Sequence, residues 1–369
     1  MQQDSAPALL QAARTIVIKV GSALLVDEHG ALRSSWLESL ARDIADLQSA
    51  GKSVAVVSSG AVALGATTLG IPRATMQLRH KQAAAAIGQI ELAQRWRDAL
   101  DSVAVGCAQV LLSPQDTEHR RRHLNARATL KTLADQQLVA IINENDTVAT
   151  DELRYGDNDK LAARVAQMIG ADVLVLLSDV DGLYDADPTR VAGAMRISHV
   201  ARINDDIMGL AGDKASEQGT GGMTSKLKAA RIATLAGASV VIASGKPAAP
   251  IQALRDGAPH TRFDAGTTVI NARRKWIMAS LKPSAEVHID AGACNALSTG
   301  KSLLPVGVVR LRGSFDRGDC ISIHGPNGEI AIGLASLSSD DANAAMSIAR
   351  TGERTEALVH RDNLVVNEA

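Results

Sequence analysis

Aromatic residues are scarce in this 369-residue chain: three Trp, two Tyr and two Phe. That leaves few platforms for stacking bases, so any core must be aliphatic. Cysteine is scarcer still. Cys107, Cys294 and Cys320 stand far apart, with no CxxC pair and no clustered histidine. This argues against a zinc site or a disulfide framework and fits a reducing compartment. Neither charge dominates, since 39 Lys+Arg face 40 Asp+Glu for a net charge of −1. The chain as a whole therefore has no attraction to nucleic acid or an anionic membrane. No apolar run approaches the roughly 18 residues of a membrane-spanning helix. The opening MQQDSAPALLQAAR lacks the basic start and long apolar stretch of a signal peptide. These absences predict a soluble, cytoplasmic protein. Two nucleotide fingerprints are missing as well: there is no GxxxxGK[ST] and no GxGxxG after the first strand, which disfavours P-loop and dinucleotide-binding readings.

What is present is ordinary in amount, with 46% hydrophobic and 21% charged residues, enough for a sizeable core. At about 150 residues per domain the length fits two or three domains. From about residue 14 to 270, apolar β-branched runs alternate with helical periodicity. Thr15–Val20, Ser53–Val57, Val103–Leu112, Val139–Ile142, Val173–Leu177 and Ser239–Ile242 read as strands buried on both faces. Between the first two, Leu37, Leu40, Ile44 and Leu47 repeat at helical spacing. Ser35 to Glu38 reads as a capping box, and Gly51 closes the last turn. Strand, helix, strand in that order predicts an α/β layer fold. Near residue 271 the pattern changes. Shorter runs at Glu286–Ile289, Val306–Leu311, Cys320–Ile323, Glu329–Gly333 and Ala357–Val359, parted by Gly- and Asp-rich turns, predict a small β-rich domain with one or two short helices.

Ligands of an open parallel sheet bind where strands feed their loops. Those loops carry Lys19-Val20-Gly21-Ser22, Ser58-Ser59-Gly60-Ala61, Asn143-Glu144-Asn145-Asp146-Thr147 and Ser178-Asp179-Val180-Asp181-Gly182. Gly156-Asp157-Asn158-Asp159-Lys160 and Gly219-Thr220-Gly221-Gly222-Met223-Thr224-Ser225-Lys226 complete the set. Taken singly, each has a bland reading: Gly21 and Gly60 as simple turns, the acidic residues as caps, the Gly219 cluster as a linker. The cluster, however, runs into an amphipathic segment. A Gly-rich loop opening a helix offers backbone N–H groups and a positive dipole end to an anion, and Lys226 adds a charge. Carboxylates beside two lysines suit Mg-nucleotide and an amino-bearing substrate.

Jointly, INEND (142–146), GDND (156–159), GTGGMTSK (219–226) and HRDN (360–363) resemble the amino-acid kinase family, and the resemblance spans nearly the whole chain. It implies an open, mostly parallel sheet sandwiched by helices (residues 1–270), a linker (271–283) and a small C-terminal PUA-like β-barrel (284–369). The activity it implies is transfer of the γ-phosphoryl group of ATP, with Mg²⁺, to the side-chain carboxylate of L-glutamate. The product would be γ-glutamyl phosphate, at the entry to proline synthesis. The resemblance also implies feedback inhibition by proline, a homo-oligomer (tetramer or dimer) and a glutamyl-phosphate reductase downstream. Position by position, it places Lys19 on the transferring phosphoryl group, with Gly21 and Ser22 as its cradle. Ser59, Asp146 and Asn158 match glutamate-binding positions, and Asp159 looks like the carboxylate holding both lysines. Ser178 and Asp179 match a nucleotide-binding pair, and Thr220, Gly221, Gly222, Met223, Thr224, Ser225 and Lys226 an ATP loop. No residue is assigned as a metal ligand. The departures are mild: the first loop reads KVGSA, and the pair is Ser-Asp where Thr-Asp is also common.

Two alternatives stand beside this reading. Another carboxylate kinase of the same superfamily is disfavoured by the INEND and GDND pair and by the C-terminal domain. An RNA-binding role is disfavoured by the charge of residues 281–369, which carry 8 Lys+Arg against 11 Asp+Glu with Phe315 as the one aromatic. The basic run His119–His123 reads as the solvated start of a helix, and Arg127 receives no role.

Overall fold

The computed structural model describes residues 6–27, 30–71, 75–148, 158–211, 222–266, 283–349, 353 and 355–366. The chain divides into two units, Met1–Val269 and Ile270–Ala369. The expected linker lies outside the described residues except for Pro283.

The first unit is built on an eight-stranded sheet. In chain order its strands are β1 (Thr15–Val20), β2 (Ser53–Ser58), β3 (Cys107–Leu112), β4 (Val139–Glu144) and β5 (Val173–Ser178). The small ribbon β6 (Leu183–Tyr184) and β7 (Arg196–Ile197) follows, and then β8 (His199–Val200), β9 (Ser239–Ser244) and β10 (His260–Phe263). The spatial order is β3-β4-β2-β1-β5-β9-β10-β8. Every ladder in it is parallel except that between β9 and β10.

Period-two alternation splits the strands between two cores. Ile16, Ile18, Val20, Val54 and Val56 pack in one cluster with the helix Ser34–Ser49. Val17, Ala55 and Val57 pack in the other, under the helices Asn158–Ile169 and Met223–Leu235. Lys19 shares the parity of Val17. Its side chain therefore faces the second layer, and this places the site.

Three expectations change in detail. The helix predicted before β2 buries Leu37, Leu40, Ile44 and Leu47, but it starts at Ser34 with Arg33 at its N-cap and no side-chain cap. Ser35 thus lies inside the first turn, and its capping box does not form. The strand expected from Val103 begins at Cys107 instead. Residues 103–106 close the preceding helix, with Ala104 at φ +58 and Val105 N–H bonded to Leu100 at 3.0 Å. The third change falls in the second unit, at residues 357–359.

The second unit holds a five-stranded sheet ordered β12-β11-β13-β14-β15. Its strands are β11 (Ala285–Ile289), β12 (Val308–Arg312), β13 (Cys320–Gly325), β14 (Gly328–Leu334) and β15 (Leu364–Val366). Its neighbours are antiparallel except β11 and β13. Helices Ala291–Ser298 and Ser339–Ala349 accompany it, over a core that includes Val287, Ile321, Ile323 and Phe315. The strand expected at Ala357–Val359 is reduced to one bridge, Leu303 to Val359, while the unpredicted β15 completes the sheet. Among the described residues no helix is long and apolar enough to cross a membrane.

Candidate active site

Lys19 approaches the carboxyl end of β1, and Asp159 lies in the first turn of the helix Asn158–Ile169, on the same layer. Lys226 sits one turn into the helix Met223–Leu235. Lys19 Nζ stands 2.6 Å from Asp159 Oδ1 and Lys226 Nζ 3.0 Å from Asp159 Oδ2. One carboxylate thus holds two ammonium groups, one on each oxygen. Asp159 is fully buried, and both lysines are buried too. Burial by itself would raise the Asp159 pKa. The charges of Lys19 and Lys226, and their hydrogen bonds, outweigh it and hold the carboxyl below its ordinary value. A buried cluster of two cations and one anion carries a net positive charge, which favours an anionic ligand beside it.

A second network lies next to the first in sequence and in space. Gly60, at φ +115, makes the left-handed turn from β2 into the helix Ala61–Leu69. This leaves Ser59 at the strand's exit, its N–H bonded to Val20 O at 3.1 Å. Asn158 Nδ2 donates to Ser58 O at 2.8 Å, Ser59 Oγ at 2.9 Å and Asn143 Oδ1 at 2.8 Å. Asn143 Oδ1 also accepts from the Glu144 N–H at 2.9 Å, and Asn143 Nδ2 donates to Gln89 Oε1 at 2.7 Å. Trp96 Nε1 donates to Ser58 Oγ at 2.9 Å. Gln89 and Trp96 both belong to the helix Leu78–Asp101, which therefore braces the ends of β2 and β4. Asp146 opens the short 3-10 turn after β4 and is half-buried.

On the other side of β1, Ser178 ends β5, with its Oγ donating to Asp179 Oδ1 at 2.9 Å. Gly21 caps the short helix Ser22–Leu25; a side chain there would enter the space 3.8 Å from Lys19 Nζ. Gly222 is extended (φ −61, ψ 176) and precedes the helix Met223–Leu235 without any side-chain cap. That arrangement leaves the helix start suited to an anion. Met223, Thr224 and Ser225 form its first turn. Thr220 and Gly221 of the expected ATP loop, and Gly156 and Asp157 of the GDND segment, lie outside the described residues.

Residues 14–244 match the pattern of the Amino acid kinase family and residues 285–350 that of the PUA domain. A glutamate 5-kinase of Rhodopseudomonas palustris (strain BisB5) is 48% identical over 366 residues, covering 96% of this chain and 97% of its own. One from Nitrobacter hamburgensis is 50% identical, with 96% of both chains covered. Glutamate 5-kinase 1 of Rhizobium meliloti is 51% identical, covering 96% of this chain and 92% of its own. The chain belongs to the glutamate 5-kinases of the amino acid kinase family. It is a kinase, with the α/β fold of that family followed by a PUA domain.

In this kinase the structure brings five of the residues singled out by sequence into direct contact: Lys19, Asp159 and Lys226 in one cluster, Asn158 and Ser59 in its neighbour. Ser178 and Asp179 pair with one another, and Asp146 stands at the exit of the adjacent strand. Three residues of the bracing network escaped the sequence reading. Asn143 lies inside INEND, where the sequence gives it no role of its own. Gln89 and Trp96 sit mid-helix, where a polar or aromatic side chain carries no local signal. Only the return of their helix across β2 and β4 gives them meaning.

Proposed function

We propose that this kinase transfers the γ-phosphoryl group of ATP to the side-chain carboxylate of L-glutamate, giving γ-glutamyl phosphate for proline biosynthesis. The observation that carries this is the pair of buried lysines held on opposite oxygens of Asp159. A glutamate side chain, with a pKa near 4.3, is ionised at neutral pH and needs no general base. Its carboxylate oxygen forms the new bond to the γ-phosphorus. The bond to the bridging oxygen breaks, and the electron pair leaves with ADP. The difficulty is electrostatic, since one anion must approach another. Lys19 and Lys226 supply fixed positive charge at that approach, and a preorganised cation costs no reorganisation at the moment of transfer. Asp159 is not a proton acceptor in this scheme, because it is ionised and both oxygens already face ammonium groups.

Among the described residues no three His, Cys, Asp or Glu side chains gather to hold a metal. In this reading Mg²⁺ arrives on the nucleotide's phosphates, which suits a cation that keeps much of its own hydration. When bound it would neutralise part of the phosphoryl charge. Gly21, Ser22 and residues 220–226 then form the phosphate cradle, Ser178 and Asp179 the nucleotide side, and Ser59, Asp146 and Asn158 the glutamate side. The proposal gives the kinase domain residues 1–270, the linker 271–283 and the PUA-like barrel 284–369. It also takes proline as an inhibitor at or near the glutamate site, a homo-oligomer (tetramer or dimer), a glutamyl-phosphate reductase as the downstream partner and a cytoplasmic location.

The test is ADP release with L-glutamate, N-acetyl-L-glutamate and L-aspartate, each with and without proline. Turnover with L-glutamate alone, suppressed by proline, is the expected result. Preference for either of the other acceptors would overturn the assignment.

A further inference from the structure

The amide chain beside Asp159 has a definite polarity, anchored at two backbone groups. Ser58 O is only an acceptor, so it is the NH₂ side of Asn158 that faces it. The Glu144 N–H is only a donor, so Asn143 turns its oxygen there and toward Asn158. Asn143 must then point its own NH₂ away, and Gln89 Oε1 receives it at 2.7 Å. The consequence lies at the other end of the chain. The Asn158 NH₂ is committed to three acceptors, while its Oδ1 makes no hydrogen bond among the described residues. Asn158 can therefore offer an incoming ligand only an acceptor. The one donor on L-glutamate at neutral pH is its α-ammonium group.

We infer that Gln89 is a positioning residue for the phosphoryl acceptor: through Asn143 it holds the Asn158 amide with its oxygen presented to the substrate's ammonium group. This rests on the proposed glutamate kinase reading and deepens it. Gln89 is half-buried on the helix Leu78–Asp101 and need not touch glutamate itself. Without it, the Glu144 N–H still fixes one point of the Asn143 amide but not its plane, and the Nδ2 loses its acceptor. The same chain should disfavour an N-acylated amino acid, which replaces three ammonium donors with a single N–H and adds bulk.

The experiment compares Gln89→Met, which keeps the volume and removes the acceptor, with Gln89→Glu, which keeps an acceptor oxygen. Steady-state kinetics are read for glutamate and ATP separately, with thermal midpoints as a check on folding. The expected result is a rise of about tenfold in KM for glutamate in Gln89→Met, the scale of one buried polar group left unpaired. Its kcat and its KM for ATP should stay within about twofold, and Gln89→Glu should restore the KM for glutamate. Equal impairment of both variants, or a wild-type KM in Gln89→Met, would overturn the inference. Absence of glutamate-dependent turnover in the wild-type enzyme would instead defeat the parent reading, so the two failures are distinguishable.

Discussion

In the proposed mechanism Asp159 organises the site without reacting, as the shared partner of two buried lysines. It brings together two lysines from different elements that would otherwise repel each other in a buried space. Replacing it with Asn removes the counter-charge and leaves two buried ammonium groups. Breaking a buried ion cluster in this way costs on the order of 3–5 kcal/mol. Asp159→Asn should therefore lower the thermal midpoint strongly and abolish turnover. The pH dependence follows from the direction of the shift. The folded carboxyl titrates below its ordinary value, so its contribution is complete above the unfolded pKa of about 3.9 and is lost as pH falls through the folded one. The stability gap between wild type and Asp159→Asn should accordingly stay level from pH 5 to 8 as far as this group is concerned. Denaturant titrations across that range measure it, and a gap that closes near pH 6 would mean that Asp159 is not held ionised.

At the scale of elements, the helix Leu78–Asp101 supports the ends of β2 and β4, where the proposal puts the acceptor. It packs against Ala61–Leu69 through two glycines, since a Cβ on Gly88 would overlap the Ala61 carbonyl oxygen and one on Gly65 would overlap that of Ala84. The obstructing atoms are backbone, so the helices themselves would have to separate. Gly88→Ala should destabilise by about 1–3 kcal/mol, as overpacked cores do. It should also raise KM for glutamate, because Gln89 is the next residue. An unchanged midpoint together with an unchanged KM would show that the close approach is dispensable. The sequence made the strands of this unit legible because a sheet covered on both faces needs nearly unbroken Val, Ile and Leu, as in Thr15–Val20 and Val173–Ser178. It misplaced the start of β3 because Val103 and Val105 look like strand residues but serve the end of a helix. The lysine and aspartate positions could be picked out from their loops. The clamp geometry could not, because Asp159 and Lys226 are 67 residues apart and meet only through the layering of two helices over β1. In the second unit, short strands left less to read: residues 357–359 have strand character yet form one bridge, and β15 was hidden behind the HRDN segment.

For the whole molecule, the near-zero net charge is a sum of unlike parts. Residues 281–369 carry 8 Lys+Arg and 11 Asp+Glu, while residues 1–280 hold 31 and 29. Neither total is strongly basic. The positive charge on which the proposal rests is instead local and buried, in Lys19 near the end of β1 and Lys226 in the first turns of the helix Met223–Leu235. The account predicts an unstable acyl phosphate as the immediate product, and hydroxylamine traps such a species as a hydroxamate. Incubating the wild-type chain and Lys226→Ala with Mg-ATP, L-glutamate and hydroxylamine tests the central claim most directly. γ-Glutamyl hydroxamate should form with the wild type. Loss of one preorganised charge should slow its formation by at least about a hundredfold in a folded Lys226→Ala. Near-normal hydroxamate formation by Lys226→Ala, or ADP release without hydroxamate in the wild type, would contradict it.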